Sequence, residues 1–213
     1  MTPHRVQRPT LACVTLLTAL ACVSCTAGSD AKSPAGPSSA APSASAPSSP
    51  AVRSSPLRVE VTHVAGRLSP AARRALSRRV GATLSTYSDA AFLAGAYPRR
   101  GFTGALRSFT AGVAPTARRD QALLTNSPLG PTTTAVHATR RTAYLSVLAP
   151  KAAVAGVTAA VDLRFVVDRG RRPAQRVRLK GRLLLTRVDG SDKTGAWKIF
   201  GYDLSRSTTP VGS

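Results

Sequence analysis

The stretch Gln175-Arg176-Val177-Arg178-Leu179-Lys180-Gly181-Arg182-Leu183-Leu184-Leu185-Thr186-Arg187 decides the fold. Val177, Leu179, Leu183 and Leu185 alternate with Arg176, Arg178, Lys180 and Arg182. A period of two describes a strand with one face in a core and the other in water. Val154–Val167 repeats the pattern upstream. There Val161, Leu163, Phe165 and Val167 face one way and Asp162, Arg164 and Asp168 the other. Arg169-Gly170-Arg171-Arg172-Pro173 reads as the turn between these two strands. Asp189-Gly190-Ser191-Asp192 reads as the turn into a last strand, Ala196–Leu204. Before them, Thr132–Thr139 and Thr142–Leu148 are rich in Thr, Val and Tyr, with Arg140-Arg141 read as a bend. Strands this close, joined by short turns, are expected to pair antiparallel.

Helices are expected ahead of this meander. Ser69-Pro70 is a start signal, Ser as N-cap and Pro at the first helical position. Leu76, Val80, Leu84, Tyr87 and Ala91 then recur at helical spacing, and Arg73, Arg74, Arg78 and Arg79 fall largely off that stripe. The helix is predicted to run to Leu93 or Ala94, where Gly95 and Pro98 stop it. Phe102, Leu106 and Phe109 suit a short second helix, and Ala117–Leu124 a third. Leu57, Val59 and Val61 suggest a short opening strand. The fold class is therefore α+β: a long N-terminal helix and short helices packed on a curved antiparallel sheet.

This order, with the ending Gly181-Arg182-Leu183-Leu184-Leu185-Thr186-Arg187 and Gly195-Ala196-Trp197-Lys198-Ile199-Phe200-Gly201-Tyr202-Asp203, resembles actinobacterial lipoproteins whose domain is similar to nuclear transport factor 2, a cystatin-like cone. The resemblance covers residues 57–206 and marks architecture rather than activity. It implies a cone whose interior would be lined by residues such as Leu84, Phe92, Phe165 and Trp197. The superfamily includes isomerases, hydrolases, dehydratases, ligand binders and protein-binding domains, so the fold does not choose among them.

The beginning of the chain speaks to location. Arg5 and Arg8 precede an uncharged, mostly apolar run over residues 10–21, and Cys22 and Cys25 follow. Positive, apolar, then small residues is the order of an export signal. A bacterial lipoprotein signal ends on an acylated cysteine. Cys22 follows the apolar core more tightly, whereas Cys25 is followed by the small polar residues usual after the cut. Residues 1–26 are read as a lipoprotein signal, with Cys25 favoured over Cys22. The apolar run is shorter than the ~20 residues a spanning helix needs, and a two-chain lipid suffices for stable anchoring. Residues 27–56 are rich in Ser, Ala and Pro and have no aromatic residue. Such a segment buries too little apolar surface to order itself and reads as an extended tether. The domain is expected over 57–206, about 150 residues and large enough for a real core, with 207–213 a disordered tail. All three cysteines lie before it, so its core must hold without disulfides.

Chemistry is sparse. Enzymes of the resembled superfamily place Asp, His or Tyr in the cone as general acid or base, and the residues of those types here are Tyr87, Asp89, His63, His137 and Asp162. Tyr87 lies on the apolar stripe, Asp162 alternates with core positions, and each His stands alone. No phosphate loop, nucleophile elbow or pair of catalytic carboxylates occurs. No catalytic residue, metal or cofactor is expected.

Charge is the second strong signal. The chain carries 30 Lys and Arg against 9 Asp and Glu, a net +21. Strand alternation places Arg176, Arg178, Lys180 and Arg182 on one face, and Arg164 joins them from the neighbouring strand. A stripe of this kind attracts polyanions. Export and the lack of interleaved aromatics argue against nucleic acid. The partners expected are the membrane, through the N-terminal lipid, and an envelope protein or anionic polymer. The sequence thus predicts a non-catalytic binding module on the extracytoplasmic face of the cell membrane. Its rivals are a small-molecule or lipid carrier using the cone, and an isomerase- or hydrolase-like enzyme.

Overall fold

A computed structural model of the chain describes residues 55–188 and 195–212. Cys22, Cys25, nearly all of the expected tether and the expected turn at Asp189–Asp192 lie outside the described residues.

Strand β1, Arg58–Gly66, opens the domain and is followed by helix α1, Pro70–Ser88. Ser69 caps α1 by accepting a hydrogen bond from the Ala72 amide at 3.2 Å. The α-helical part stops at Ser88, short of the predicted end, and one π-helical turn, Asp89–Leu93, carries the chain on. A 3-10 segment, Thr103–Ser108, stands where a second helix was expected. The expected third helix is two short ones, α2 (Ala114–Arg119) and α3 (Gln121–Leu124), parted at Asp120. Four long strands follow: β2 (Ala135–Ala149), β3 (Gly156–Arg169), β4 (Arg172–Val188) and β5 (Ala196–Pro210). Among the described residues no helix is long and apolar enough to cross a membrane.

The fold is α+β with a five-stranded sheet in the order β1-β2-β3-β4-β5. The sheet is mixed, which corrects the expectation of an antiparallel one. β2 to β5 pair antiparallel, but β1 runs parallel to β2, Arg58 opposite Thr142 and Gly66 opposite Ala149. The cause is connectivity. The whole helical segment separates β1 from β2, so no tight turn dictates antiparallel pairing. Two more corrections follow. Arg140-Arg141 is no bend, because β2 passes through it with only a register shift between Ala138 and Arg140. Residues 207–210 are no tail. Ser207, Thr208, Thr209 and Pro210 sit opposite Arg178, Val177, Arg176 and Gln175, so β5 outlasts the predicted domain end.

One face of the sheet is covered by α1 and the short helices. Leu76, Val80, Leu84 and Tyr87 of α1 pack with Leu145, Leu163, Phe165, Leu179, Leu183, Trp197 and Ile199. Each fully buried side chain of this size contributes about 1.5–3 kcal/mol. Aromatic contacts knit the layers, Tyr87 edge-on to Phe109 at 5.4 Å and Phe92 tilted on Phe165 at 5.3 Å. Gly181 has φ +143°, and a Cβ there would lie 2.1 Å from the Asp203 carbonyl oxygen. Only glycine lets β4 and β5 come this close at that conformation.

Candidate functional site

The side chains that strand alternation turns away from the helices form a grid. Arg140, Arg164, Arg178 and Ser207 make one row across β2 to β5. Thr142, Asp162, Lys180 and Ser205 make the next, and Tyr144, Ala160, Arg182 and Asp203 a third. The small residue Ala160, between Tyr144 and Arg182, leaves a depression in the middle, lined also by the Gly181 backbone. It is a groove of about 550 Å3, walled by Tyr144, Arg140, Lys180 and Arg182. Tyr144 is 43% exposed, high for a side chain of its size.

Asp162 organises the cationic end of this face. Its carboxylate accepts hydrogen bonds from Arg164 at 3.0 and 3.3 Å and from Arg178 at 3.0 and 3.2 Å, and Arg140 stands 3.9 Å away. Burial by itself would raise the pKa of Asp162. The hydrogen bonds and charges of Arg164 and Arg178 outweigh it and hold the carboxyl below the usual carboxylate range. Several guanidinium groups around one carboxylate leave local positive charge over.

The predicted basic stripe is therefore divided. Arg164 and Arg178 are engaged by Asp162, which lies two residues from Arg164 on β3; for Arg178 that partner is on the neighbouring strand, which the spacing within β4 did not reveal. Arg176, Lys180 and Arg182 are exposed, with Asp203 opposite Arg182 across β5. Arg140 and Tyr144 were missed as contributors. Arg140 had been read as part of a bend, and the outward position of Tyr144 follows only once β2 is one continuous strand.

The cavity that the carrier reading needs is filled. Leu84, Phe92, Phe165 and Trp197 are 3%, 1%, 1% and 6% exposed and belong to the packed core. The gap beside Phe92 and Phe165 is about 180 Å3 in total and has no room for a water molecule. These side chains touch one another instead of lining a space, because α1 lies directly on the sheet.

The titratable residues singled out from sequence disperse. The Tyr87 hydroxyl donates to the Leu124 carbonyl at 2.8 Å, and burial pushes its pKa upward. His137 lies 3.0 Å from Asp168 at the start of β2. His63 is exposed on β1. Among the described residues no cluster of His, Cys, Asp or Glu could hold a metal ion. Asp89 meets a charged partner under the sheet. Arg141, whose side chain is 9% exposed, pairs with Asp89 Oδ1 at 2.9 Å and donates to Ser88 Oγ at 2.6 Å and Ser85 Oγ at 3.1 Å. Ser85 donates to the other oxygen of Asp89 at 3.0 Å, so both carboxylate oxygens are engaged. A second polar cluster ties β5 to the short helices. Tyr202 donates to Asp120 at 2.6 Å, and Arg206 donates to the Thr125 and Ala122 carbonyls and to the Asn126 side chain. Both clusters hold elements together.

Compared with protein-family models, with characterised proteins and with solved structures, the chain matches none.

Proposed function

We propose that the protein is a lipid-anchored lipoprotein of the extracytoplasmic face of the cell membrane, and that its domain is a non-catalytic binding module for an envelope protein or anionic surface. The observation that carries the reading is the contrast between the two faces of the sheet. The inner face is consumed by packing, while the outer face offers a wide groove edged by Arg140, Lys180 and Arg182. Oriented, exposed cations beside a depression attract an anionic partner and fix its register. The export signal and the cysteine at its end supply the location. The helix-on-sheet arrangement is compatible with the cone of the resembled superfamily, with β1 as a parallel edge strand. The carrier alternative needs room at Leu84, Phe92, Phe165 and Trp197, and the packing there weighs against it. The enzyme alternative needs a free acid or base in an opening, and the engaged oxygens of Asp89 give it little support.

The test is capture of partners from crosslinked envelopes by the full chain and by the double variant Lys180→Glu, Arg182→Glu. Loss of specific partners with unchanged thermal unfolding supports the reading. The same partners on both chains would refute it.

A further inference from the structure

The chain comes into the domain at one end of the sheet, and that end is cationic. Ser55 donates its amide to the Ala138 carbonyl at 2.9 Å and its hydroxyl to the Thr139 carbonyl, so residue 55 lies beside the start of β2. Ala135 pairs with Asp168, which places the β3–β4 turn at the same end. Gln175 pairs with Pro210, which brings the end of β5 there too. The turn carries Arg169, Arg171 and Arg172, and Arg176 follows on β4. Arg171, Arg172 and Arg176 are exposed and take part in none of the ion pairs among the described residues. The acid at this end, Asp168, lies 3.0 Å from His137. The opposite end also carries cations, Arg67, Lys151 and Arg187, beside exposed Leu148, but the chain does not come in there.

Resting on the lipoprotein reading above, we propose that this end of the sheet docks on the anionic lipid headgroups of the membrane in which the chain is anchored. Some 30 residues separate Cys25 from Ser55, and their Pro-rich composition gives a reach on the order of 90 Å when extended. The anchor keeps the domain near the bilayer but does not choose which surface meets it. Charge makes that choice, because each basic residue brought to an anionic surface strengthens partitioning about fivefold and the attraction decays over about 10 Å at 0.1 M salt. Arg171, Arg172 and Arg176 sit where the tether emerges, so docking them needs no turning of the domain against its own linker. The outer groove, further along the strands, stays open above the surface for its own partner.

The experiment uses the full chain isolated from membranes of its host, with its mass measured, and reconstituted into vesicles. One set is phosphatidylcholine and the other contains phosphatidylglycerol. The described residues include no cysteine, so Thr209→Cys at the cationic end and Ala153→Cys at the far end give single labelling sites, with any thiol left free by processing changed to Ser. The expected result is quenching of the Thr209→Cys fluorophore by a lipid-borne quencher in phosphatidylglycerol vesicles only. Arg171→Gln, Arg172→Gln and Arg176→Gln together should abolish it, and the Ala153→Cys label should stay bright. In vesicle sedimentation the same triple change should weaken binding of the unacylated chain on the order of 100-fold at low salt. Equal quenching at both ends, or equal quenching in both lipids, would overturn the proposal. So would a Thr209→Cys label that crosslinks to an envelope protein while phosphatidylglycerol leaves it bright. A mass without acyl chains would refute the lipoprotein reading alone, and the sedimentation arm would still decide docking.

Discussion

Replacing Asp89 by Asn should destabilise the domain more than removing the arginine it pairs with. The side chain of Arg141 is 9% exposed and that of Asp89 is 40% exposed. In Asp89→Asn the guanidinium keeps its charge, stays buried and loses its counter-ion, and its Nε already has no partner. Stranding a buried charge this way costs about 3–5 kcal/mol. Ser85 and Ser88 still accept from the guanidinium, so the low end, about 3 kcal/mol, is expected. In Arg141→Met the buried charge itself is gone, an unbranched side chain fills much of its path, and Asp89 turns to water. That loss should be about 1 kcal/mol. The double variant should match Arg141→Met alone, giving a coupling of about 3 kcal/mol. The assay is guanidinium unfolding followed by circular dichroism, with slopes compared to verify two-state behaviour. In thermal scans Asp89→Asn should lower Tm by roughly 6–12 °C, given about 2–4 °C per kcal/mol for a domain of this size. If Arg141→Met proves the more damaging single change, or if the two losses simply add, the buried-charge argument is wrong.

Other outcomes follow from the outer face and the core. Asp162→Asn should act in opposite directions on stability and binding: unfolding becomes easier by about 1 kcal/mol as Arg140, Arg164 and Arg178 lose their shared carboxylate, while retention on an anionic column at pH 7 increases. The same group gives an acid limb. Its folded pKa lies below the unfolded value, so its contribution is complete above about pH 4 and disappears as pH falls through the folded pKa; the acid unfolding midpoint of Asp162→Asn should respond less to pH there. Burial and the Asp120 carboxylate push Tyr202 up to about 12, so its contribution is intact below pH 10 and lost between there and pH 12; ultraviolet titration should show Tyr202→Phe unfolding with a shallower dependence on alkali. Gly181→Ala places a methyl group against the Asp203 carbonyl and should cost more than 2 kcal/mol, read as a fall in the guanidinium midpoint.

The centres of β3 and β4 were legible because they follow one rule, apolar inward and charged outward. Phe165 and Val177 are in the core and Arg176 and Arg182 are outside, as period two requires. Legibility failed where a residue's partner is remote in sequence. Arg141 reads as half of a polar bend until Asp89 and Ser88, more than fifty positions away, are seen to receive it. Arg178 reads as a free cation until the register of β3 on β4 brings it to the carboxylate beside Arg164, Asp162. The parallel pairing of β1 was equally hidden, since nothing within Arg58–Gly66 specifies the direction of its neighbour. Strand alternation is a local property, whereas ion-pair partners and strand direction belong to the assembled sheet.

That division also explains why the site lies outside the core. With Phe92 packed on Phe165 and Tyr87 on Phe109, opening a ligand space under the helices would forfeit dispersion contacts on both walls. Enlarging it by Phe165→Ala would add a cavity penalty, about 3–5 kcal/mol in all. A domain without disulfides has only about 5–15 kcal/mol to lose. The outer face has no such constraint. Ala160 opens a groove there, lined also by the Gly181 backbone, without removing a core contact, and the cations around it stay solvated. Changing Ala160 to Leu should therefore block that groove while leaving the unfolding midpoint nearly unmoved, whereas Phe165→Ala should unfold the domain without opening a usable pocket. Were Phe165→Ala instead to yield a stable protein that binds apolar ligands, the inner face would have to be reconsidered as a carrier site.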